Sequence, residues 1–296
     1  MYIIVSSDIN KHCEITALGH EIHMSRYMLC QLLHNKIVNE NDTIVTRTED
    51  RRILYTKVFR NVLTHALFKN QNISNENILD LTYFMNTNIR NFSLNNEIIC
   101  GLERKFGFNF NKLLYGEYAE DVNYLLNSLD FISIDQFYLQ HNFIMIHTRI
   151  VNTSDHTWGK TDNIQNIINK IENSDFTIIC YVADSQIRYT SKKNIIYISD
   201  FSLYCSLMNH ELCKAVISEI SGGGEVSQYC HNKDIYIYSD RYHFGEAVLH
   251  KKLNDKIRPK LYTGFEGNEG STNAILHKFP SCDLLIDYIC REWKLV

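Results

Sequence analysis

Proline appears only twice in the 296 residues, at Pro259 and Pro280, while asparagine and isoleucine abound. That bias points to an AT-rich genome rather than to a function. Neither sign of charge is in excess: 30 Lys and Arg stand against 34 Asp and Glu, a formal net charge of −4. So even a balance makes no global field toward nucleic acid or anionic lipid, and any anionic ligand must be held by a local cluster. No apolar run approaches the roughly 20 residues of a membrane span, so no integral membrane segment is expected. The first residues, Met1-Tyr2-Ile3-Ile4-Val5-Ser6-Ser7-Asp8, lack a basic leader and a cleavage pattern. They read as a first strand. The nine cysteines are odd in number and scattered, with no C-x-x-C pair. Disulfides are therefore not expected, and a reducing, cytoplasmic compartment is. Thirteen histidines form no H-E-x-x-H spacing, so no metal site is expected. P-loop, G-x-G-x-x-G and G-x-S-x-G fingerprints are missing too.

What is present is a globular composition, 45% apolar and 22% charged, in a chain long enough for two domains. Strand-like and helix-like segments alternate. In the first half, Tyr2 to Ser6, Thr43 to Arg47 and Ile78 to Thr82 read as strands. Glu21 to His34 reads as a helix. Asp50 to Lys69 reads as the clearest helix of all: Leu54, Tyr55, Val58, Phe59, Val62, Leu63, Ala66 and Leu67 recur at three and four residues. Glu117 to Leu129 is helical by the same criterion. In the second half, Phe143 to His147, Phe176 to Val182, Asn194 to Ile198, Ala215 to Ile220 and Asp234 to Tyr238 are strands. Residues 150–160 read as a polar loop. Asp162 opens a helix with Ile164, Ile167, Ile168 and Ile171 on one face, and Leu203 to Met208 is a short helix. Continuously apolar strands separated by helices predict parallel sheets covered on both faces. The fold class is α/β with two Rossmann-like domains, over residues 1–138 and 139–275, followed by a C-terminal helical segment over 276–296 whose amphipathic helix spans Cys282 to Trp293.

Ligands of such sheets bind beyond the carboxyl ends of the strands. The most telling segment there is Ser221-Gly222-Gly223-Gly224-Glu225-Val226-Ser227, straight after the apolar run Ala215 to Ile220. Glycine lets the backbone turn sharply and present bare N–H groups, and a following helix would aim its amide end at the same place. A tight turn at a crowded packing site would use the same residues. Ser221 and Ser227 offer hydroxyls to phosphate or sugar. Glu225 suits either a helix's first turn or the hydroxyls of a ribose. The second candidate is His147-Thr148-Arg149, with Lys160 before the next helix. Arginine can fork onto diphosphate oxygens, and it can equally form a surface ion pair; His147 fits a core histidine as well as a ligand. Asp184 follows the strand ending at Val182, and Asp240-Arg241-Tyr242-His243 follows the last strand. In the first half, His20, Glu21 and Asp8 are proton-acceptor candidates, with helix capping as the alternative for the first two.

Together these motifs resemble a GT-B glycosyltransferase, in which two Rossmann-like domains face each other across a cleft. His147-Thr148-Arg149 is similar to the H-x-R of the α1,6- and protein-O-fucosyltransferase-like group, whose arginine contacts the donor diphosphate. Ser221 to Tyr229 resembles the Ser/Gly-rich loop of related bacterial and viral proteins, and Thr46 to Tyr55 is similar to that group as well. The group usually carries H-x-R-R; here Ile150 replaces the second arginine, which leaves both GDP- and UDP-linked donors open. The resemblance implies transfer of a sugar from a nucleotide-sugar to a glycan hydroxyl. It also implies inversion, no metal and no bound cofactor, and a final helix that can cross back to the first domain. The donor-binding set is His147, Arg149, Lys160, Asp184, Ser221, Gly222, Gly223, Gly224, Glu225, Val226 and Ser227. The base would be Glu21, His20 or Asp8, in that order. The lack of a D-x-D motif agrees with metal independence. A nucleotide-binding sensor or scaffold without turnover, and a nucleotide-sugar epimerase on the same frame, are the alternatives.

Overall fold

The computed structural model describes residues 1–6, 21–82, 103–109, 129, 134, 139, 141–148, 151–153, 156–158, 161–182, 187–219, 226–229, 233–238 and 275–295. The chain divides into two compact units: Met1–Asp130 with Lys252–Tyr262, and Phe131–Lys251 with Thr263–Val296.

The first unit carries four parallel strands, β1 (Tyr2–Ile4), β2 (Thr43–Thr46), β3 (Asn61–Thr64) and β4 (Ile78–Asp80), in the order β3-β2-β1-β4. Helix α1 (Arg26–His34) follows a π-helical turn over Glu21–Ser25 and buries Met28, Leu29 and Leu32. It stops where Lys36 enters the left-handed region at φ 57°.

The helix expected over Asp50 to Lys69 does not form. A 3-10 turn (Glu49–Leu54), strand β3 and a one-turn helix α2 (His65–Phe68) stand there instead. The reason is tertiary. Val62 and Leu63 pair with Ile44 and Val45 of β2, and that parallel ladder outweighs helix propensity. Val62 and Thr64 are buried while Leu67, on the same stripe of a continuous helix, is 53% exposed. Thr64 caps α2 by accepting from the Leu67 N–H at 3.5 Å. The helix expected over Glu117 to Leu129 lies, but for Leu129, outside the described residues.

The second unit holds six parallel strands: β5 (Phe143–Thr148), β8 (Thr177–Val182), β9 (Ile195–Ile198), β10 (Cys213–Glu219), β11 (Asp234–Tyr238) and β12 (Ile275–Phe279). Their order is β12-β11-β10-β5-β8-β9. Chain order from β5 runs first to β8 and β9, then back past β5 to β10, β11 and β12. This is the doubly wound Rossmann order. The segment expected as a polar loop at 150–160 contains an antiparallel pair, β6 (Val151–Thr153) with β7 (His156–Trp158).

Two helices cover one face of the sheet, α3 (Thr161–Ile171) and α5 (Cys282–Glu292). Ile164, Ile167, Ile168 and Ile171 of α3 and Leu285 and Ile289 of α5 share one buried cluster with Ile144, Ile146, Ile178 and Ile217. Thus α5 buries its apolar side in the second unit's own core. The helix thus stands where Cys282 to Trp293 predicts it, and strand β12 ahead of it has no counterpart in the sequence reading. Helix α4 (Phe201–Met208), capped by Asp200 on the Leu203 N–H at 2.7 Å, packs with β10.

Between β8 and β9 the described chain runs as an extended strap in place of a helix. Side chains pin it. Gln165 of α3 exchanges two hydrogen bonds with the Thr190 backbone, at 2.7 and 2.9 Å. Glu172 accepts from the Lys192 N–H at 2.8 Å and the Ser191 hydroxyl at 3.1 Å. The Tyr197 hydroxyl accepts from the Tyr189 N–H at 2.8 Å. Among the described residues no helix is long and apolar enough to cross a membrane.

Cys30, Cys180, Cys205 and Cys213 are buried. Burial raises the Cys180 and Cys213 thiols from 9.0 to about 12. A thiol held protonated in the fold stabilises it fully below its unfolded value. That stability is lost as pH climbs through the folded one. Unfolding free energy from urea titrations should therefore fall between pH 9 and 12, by about 1 kcal/mol per pH unit per thiol. Replacing both thiols by alanine should flatten the slope near pH 9.5; an unchanged slope would count against their burial. Above pH 10 the phenols of Tyr55, Tyr189 and Tyr236, all raised chiefly by burial, add to the decline.

Candidate functional site

In a doubly wound sheet the crevice opens where the winding reverses, because the loops of the two central strands part toward opposite faces. Here those strands are β5 and β10. They pair in parallel, with His147 opposite Ser218. Strand β5 ends at Thr148, so Arg149 is the next residue along the chain; β10 ends at Glu219, two residues before Ser221. The two motifs picked out in the sequence thus leave adjacent strands at the reversal point. Val182, the last residue of β8, pairs with Thr148, and Asp184 follows two residues later. Lys160 immediately precedes α3. Arg149, Lys160, Asp184, Ser221, Gly222, Gly223, Gly224 and Glu225 themselves lie outside the described residues, as do His20, Asp8 and the segment Asp240 to His243.

His147 is 6% exposed. Its ring stacks on Tyr181 at 5.4 Å and meets Tyr204 of α4 at 5.6 Å. Tyr181 and Tyr204 stack on each other at 4.5 Å. The Thr148 hydroxyl donates to the Tyr181 carbonyl at 2.9 Å. His147 is thus packed as a core histidine, and the aromatic stack and the threonine tie fix the end of β5. The tyrosines come from a later strand and a later helix, so no local pattern in the sequence marks them.

After the glycines the chain forms a 3-10 turn, Val226–Tyr229. The expected helix is reduced to four residues, too short to sum its peptide dipoles into an appreciable end charge. Val226 is fully buried and Ser227 is 1% exposed. Both therefore anchor the loop's far end. At its near end Glu219 is also buried, and the Ser218 hydroxyl donates to the Glu219 carbonyl at 2.6 Å.

In the first unit Glu21 sits at the carboxyl end of β2, fully buried. One carboxylate oxygen accepts from the Thr46 hydroxyl at 2.6 Å and the Tyr55 hydroxyl at 3.0 Å. The other accepts from the Arg51 guanidinium at 2.8 Å. Ser6, at the end of β1, joins through Thr46 at 3.3 Å. Burial, and then the Glu21 charge, push the Tyr55 phenol well above its ordinary value, so it stays a donor. The carboxylate thus accepts three hydrogen bonds while shut off from solvent. It ties the π-helical turn before α1 to β2 and to the 3-10 turn after it. The residue expected first as the base is thus also a tie between these elements.

No protein-family model and no curated protein matches the chain. Among solved structures it is similar to a glycosyl transferase family 9 protein from Veillonella parvula DSM 2008. That likeness has 9% identity and a TM-score of 0.47, over 100% of this chain and 89% of that one.

Removing one partner of a buried ion pair leaves the other charge uncompensated, at about 3–5 kcal/mol. Glu21→Ala and Arg51→Met should each lower the unfolding free energy by that order. The double substitution should cost clearly less than the sum, since it strands no charge. Additive losses in urea titrations would mean the pair is not coupled.

Proposed function

We propose that this protein is a glycosyltransferase that moves a sugar from a nucleotide-sugar to a glycan hydroxyl. One observation carries the proposal: a strand leading to an H-x-R motif and a strand leading to a triple-glycine loop are hydrogen-bonded neighbours at the reversal point of a Rossmann-ordered sheet. That is where a diphosphate is held in sheets of this kind, by backbone N–H groups and a forked cation.

In the proposed mechanism the second unit binds the donor. Arg149, with Lys160 and the backbone N–H groups after Gly224, neutralises the departing nucleotide diphosphate as the sugar–oxygen bond breaks. Ser221 and Glu225 hydrogen-bond the diphosphate and the ribose hydroxyls respectively. With a short 3-10 turn behind the glycines, the cationic side chains carry more of this work than a helix end would. The first unit supplies the base that takes the acceptor proton as the acceptor oxygen attacks the anomeric carbon. His20 and Asp8 take that role ahead of Glu21, whose carboxylate is occupied. Direct displacement inverts the anomeric centre, and cationic side chains in place of a metal match the missing D-x-D. The odd number and scattered placing of the cysteines in the sequence suit a cytoplasmic location.

The occupied Glu21 carboxylate also favours a second reading, a nucleotide sensor without turnover. A panel of GDP- and UDP-linked sugars separates the two. Under the transferase reading, one nucleotide class raises the melting temperature by mass action, and diphosphate release depends on a glycan acceptor. Tight binding with no release under any acceptor would leave the sensor. Conversion of the donor without acceptor would indicate an epimerase.

Arg149→Ala should lower kcat/KM by roughly a hundredfold or more, the loss of a cation paired with a leaving diphosphate. Unchanged transfer and unchanged donor hydrolysis would remove Arg149 from the diphosphate site.

A further inference from the structure

The strap between β8 and β9, described over residues 187–194, is fastened to the α3 side at two points. At one, Gln165 exchanges hydrogen bonds with the N–H and carbonyl of Thr190, at 2.9 and 2.7 Å. An amide side chain does not titrate, so this clamp carries no pH dependence of its own. At the other, one oxygen of the Glu172 carboxylate accepts from the Lys192 N–H at 2.8 Å and from the Ser191 hydroxyl at 3.1 Å. The second oxygen stands 3.6 Å from the Lys192 ammonium. Lys193 gives its ammonium to the Phe176 carbonyl at 3.3 Å. Its N–H donates to the Ser191 hydroxyl at 3.1 Å, so the hold of Glu172 extends to that residue as well.

Glu172 directly follows the last residue of α3, and its own N–H still donates to the Ile168 carbonyl at 2.9 Å. A carboxylate is disfavoured there, because the carbonyls of a helix's last turn carry partial negative charge. The strap supplies what offsets that repulsion: two hydrogen-bond donors and a cation. These groups, the Lys192 N–H first among them, hold the Glu172 carboxyl below its ordinary 4.5. Hydrogen bonds to an ionised oxygen are stronger than those to a neutral one, so the grip on 191–193 depends on the charge of Glu172.

We propose that Glu172 makes residues 191–193 of the strap a pH-sensitive latch, closed while the carboxylate is ionised and released by its protonation, beside a Gln165 clamp that stays shut. The latch stands independently of the nucleotide-sugar reading. Its direction follows from the lowered carboxyl. The contribution to closure is complete above the unfolded value and is lost as pH falls through the folded one. Release therefore comes on the acid side, and it is local, because Thr190 keeps both of its bonds to Gln165.

Amide hydrogen exchange on the full chain, resolved by residue and corrected for the intrinsic rate at each pH, tests the latch. Protection of the Lys192 amide should fall roughly tenfold between pH 6 and pH 3.5, the loss of one charge-assisted hydrogen bond. Protection of the Thr190 amide should stay within about twofold over the same range, since its acceptor does not titrate. Glu172→Gln keeps the shape of the acceptor without its charge, so at pH 6 it stands in for the protonated form. There its Lys192 amide should already be roughly tenfold less protected than in the parent, with Thr190 unchanged. Lys192 protection equal to the parent's in Glu172→Gln at pH 6 would overturn the latch. An equal loss at Thr190 in that variant would overturn it too, because the strap would then open as one piece.

Discussion

The parallel pairing of β5 with β10 is the constraint on which the second unit depends. Every crossover in a parallel sheet takes the same hand, so reversing the winding direction sends the connections of the two halves to opposite faces. Between β5 and β10 the connections therefore part. The register is set by a local irregularity. Cys213 stands opposite Phe143, but Ala215 stands opposite Ile144, so β10 carries one extra residue, Lys214. Its ammonium reaches the Glu211 carbonyl at 3.1 Å on the exposed side. The bulge keeps Ala215 and Ile217 in register with the core face and brings Ser218 level with His147. One exposed lysine at the far end of the strand therefore decides which residues leave the sheet together at its functional end.

What was legible in the sequence follows from how each element is buried. Strands β5, β8, β10 and β11 are covered on both faces, so nearly every position must be apolar, and the runs announce themselves. Helix α3 shows its isoleucines because only one side is buried. Strand β12 is partly exposed, with Ile275 at 53%, and its Ile-Leu-His-Lys-Phe has neither a continuous run nor a clean alternation. The segment Asp50 to Lys69 was misread for the opposite reason. Its spacing satisfies a helix, but the vacant pairing edge of β2 offers Val62 and Leu63 a ladder, and spacing alone does not register that choice.

The candidate site divides in the same way. Strand ends and glycines are local features, so the position of the crevice could be read in advance. The groups that hold it are not local. His147 meets Tyr181 and Tyr204 through contacts spanning more than thirty residues of chain. Glu21 meets Thr46, Arg51 and Tyr55 only once β2 and the following turn have folded beside it. In the sequence Glu21 stands beside His20 as a proton-acceptor or capping candidate, and nothing nearby marks its partners. Its donors arrive from 25, 30 and 34 residues away.

Glu21 and the strap between β8 and β9 show two ways in which distant side chains hold backbone in place. At Glu21 the fold brings three donors to one buried carboxylate, and the result is a rigid junction between the turn before α1, β2 and the turn after it. At the strap no helix satisfies the backbone of the described residues, so side chains do: Gln165 and Glu172 from α3 and its end, and the Tyr197 hydroxyl from β9. In both places the partners come from elements far away in the chain. The local conformation therefore exists only once the sheet has formed, which is why neither feature has a pattern of its own in the sequence.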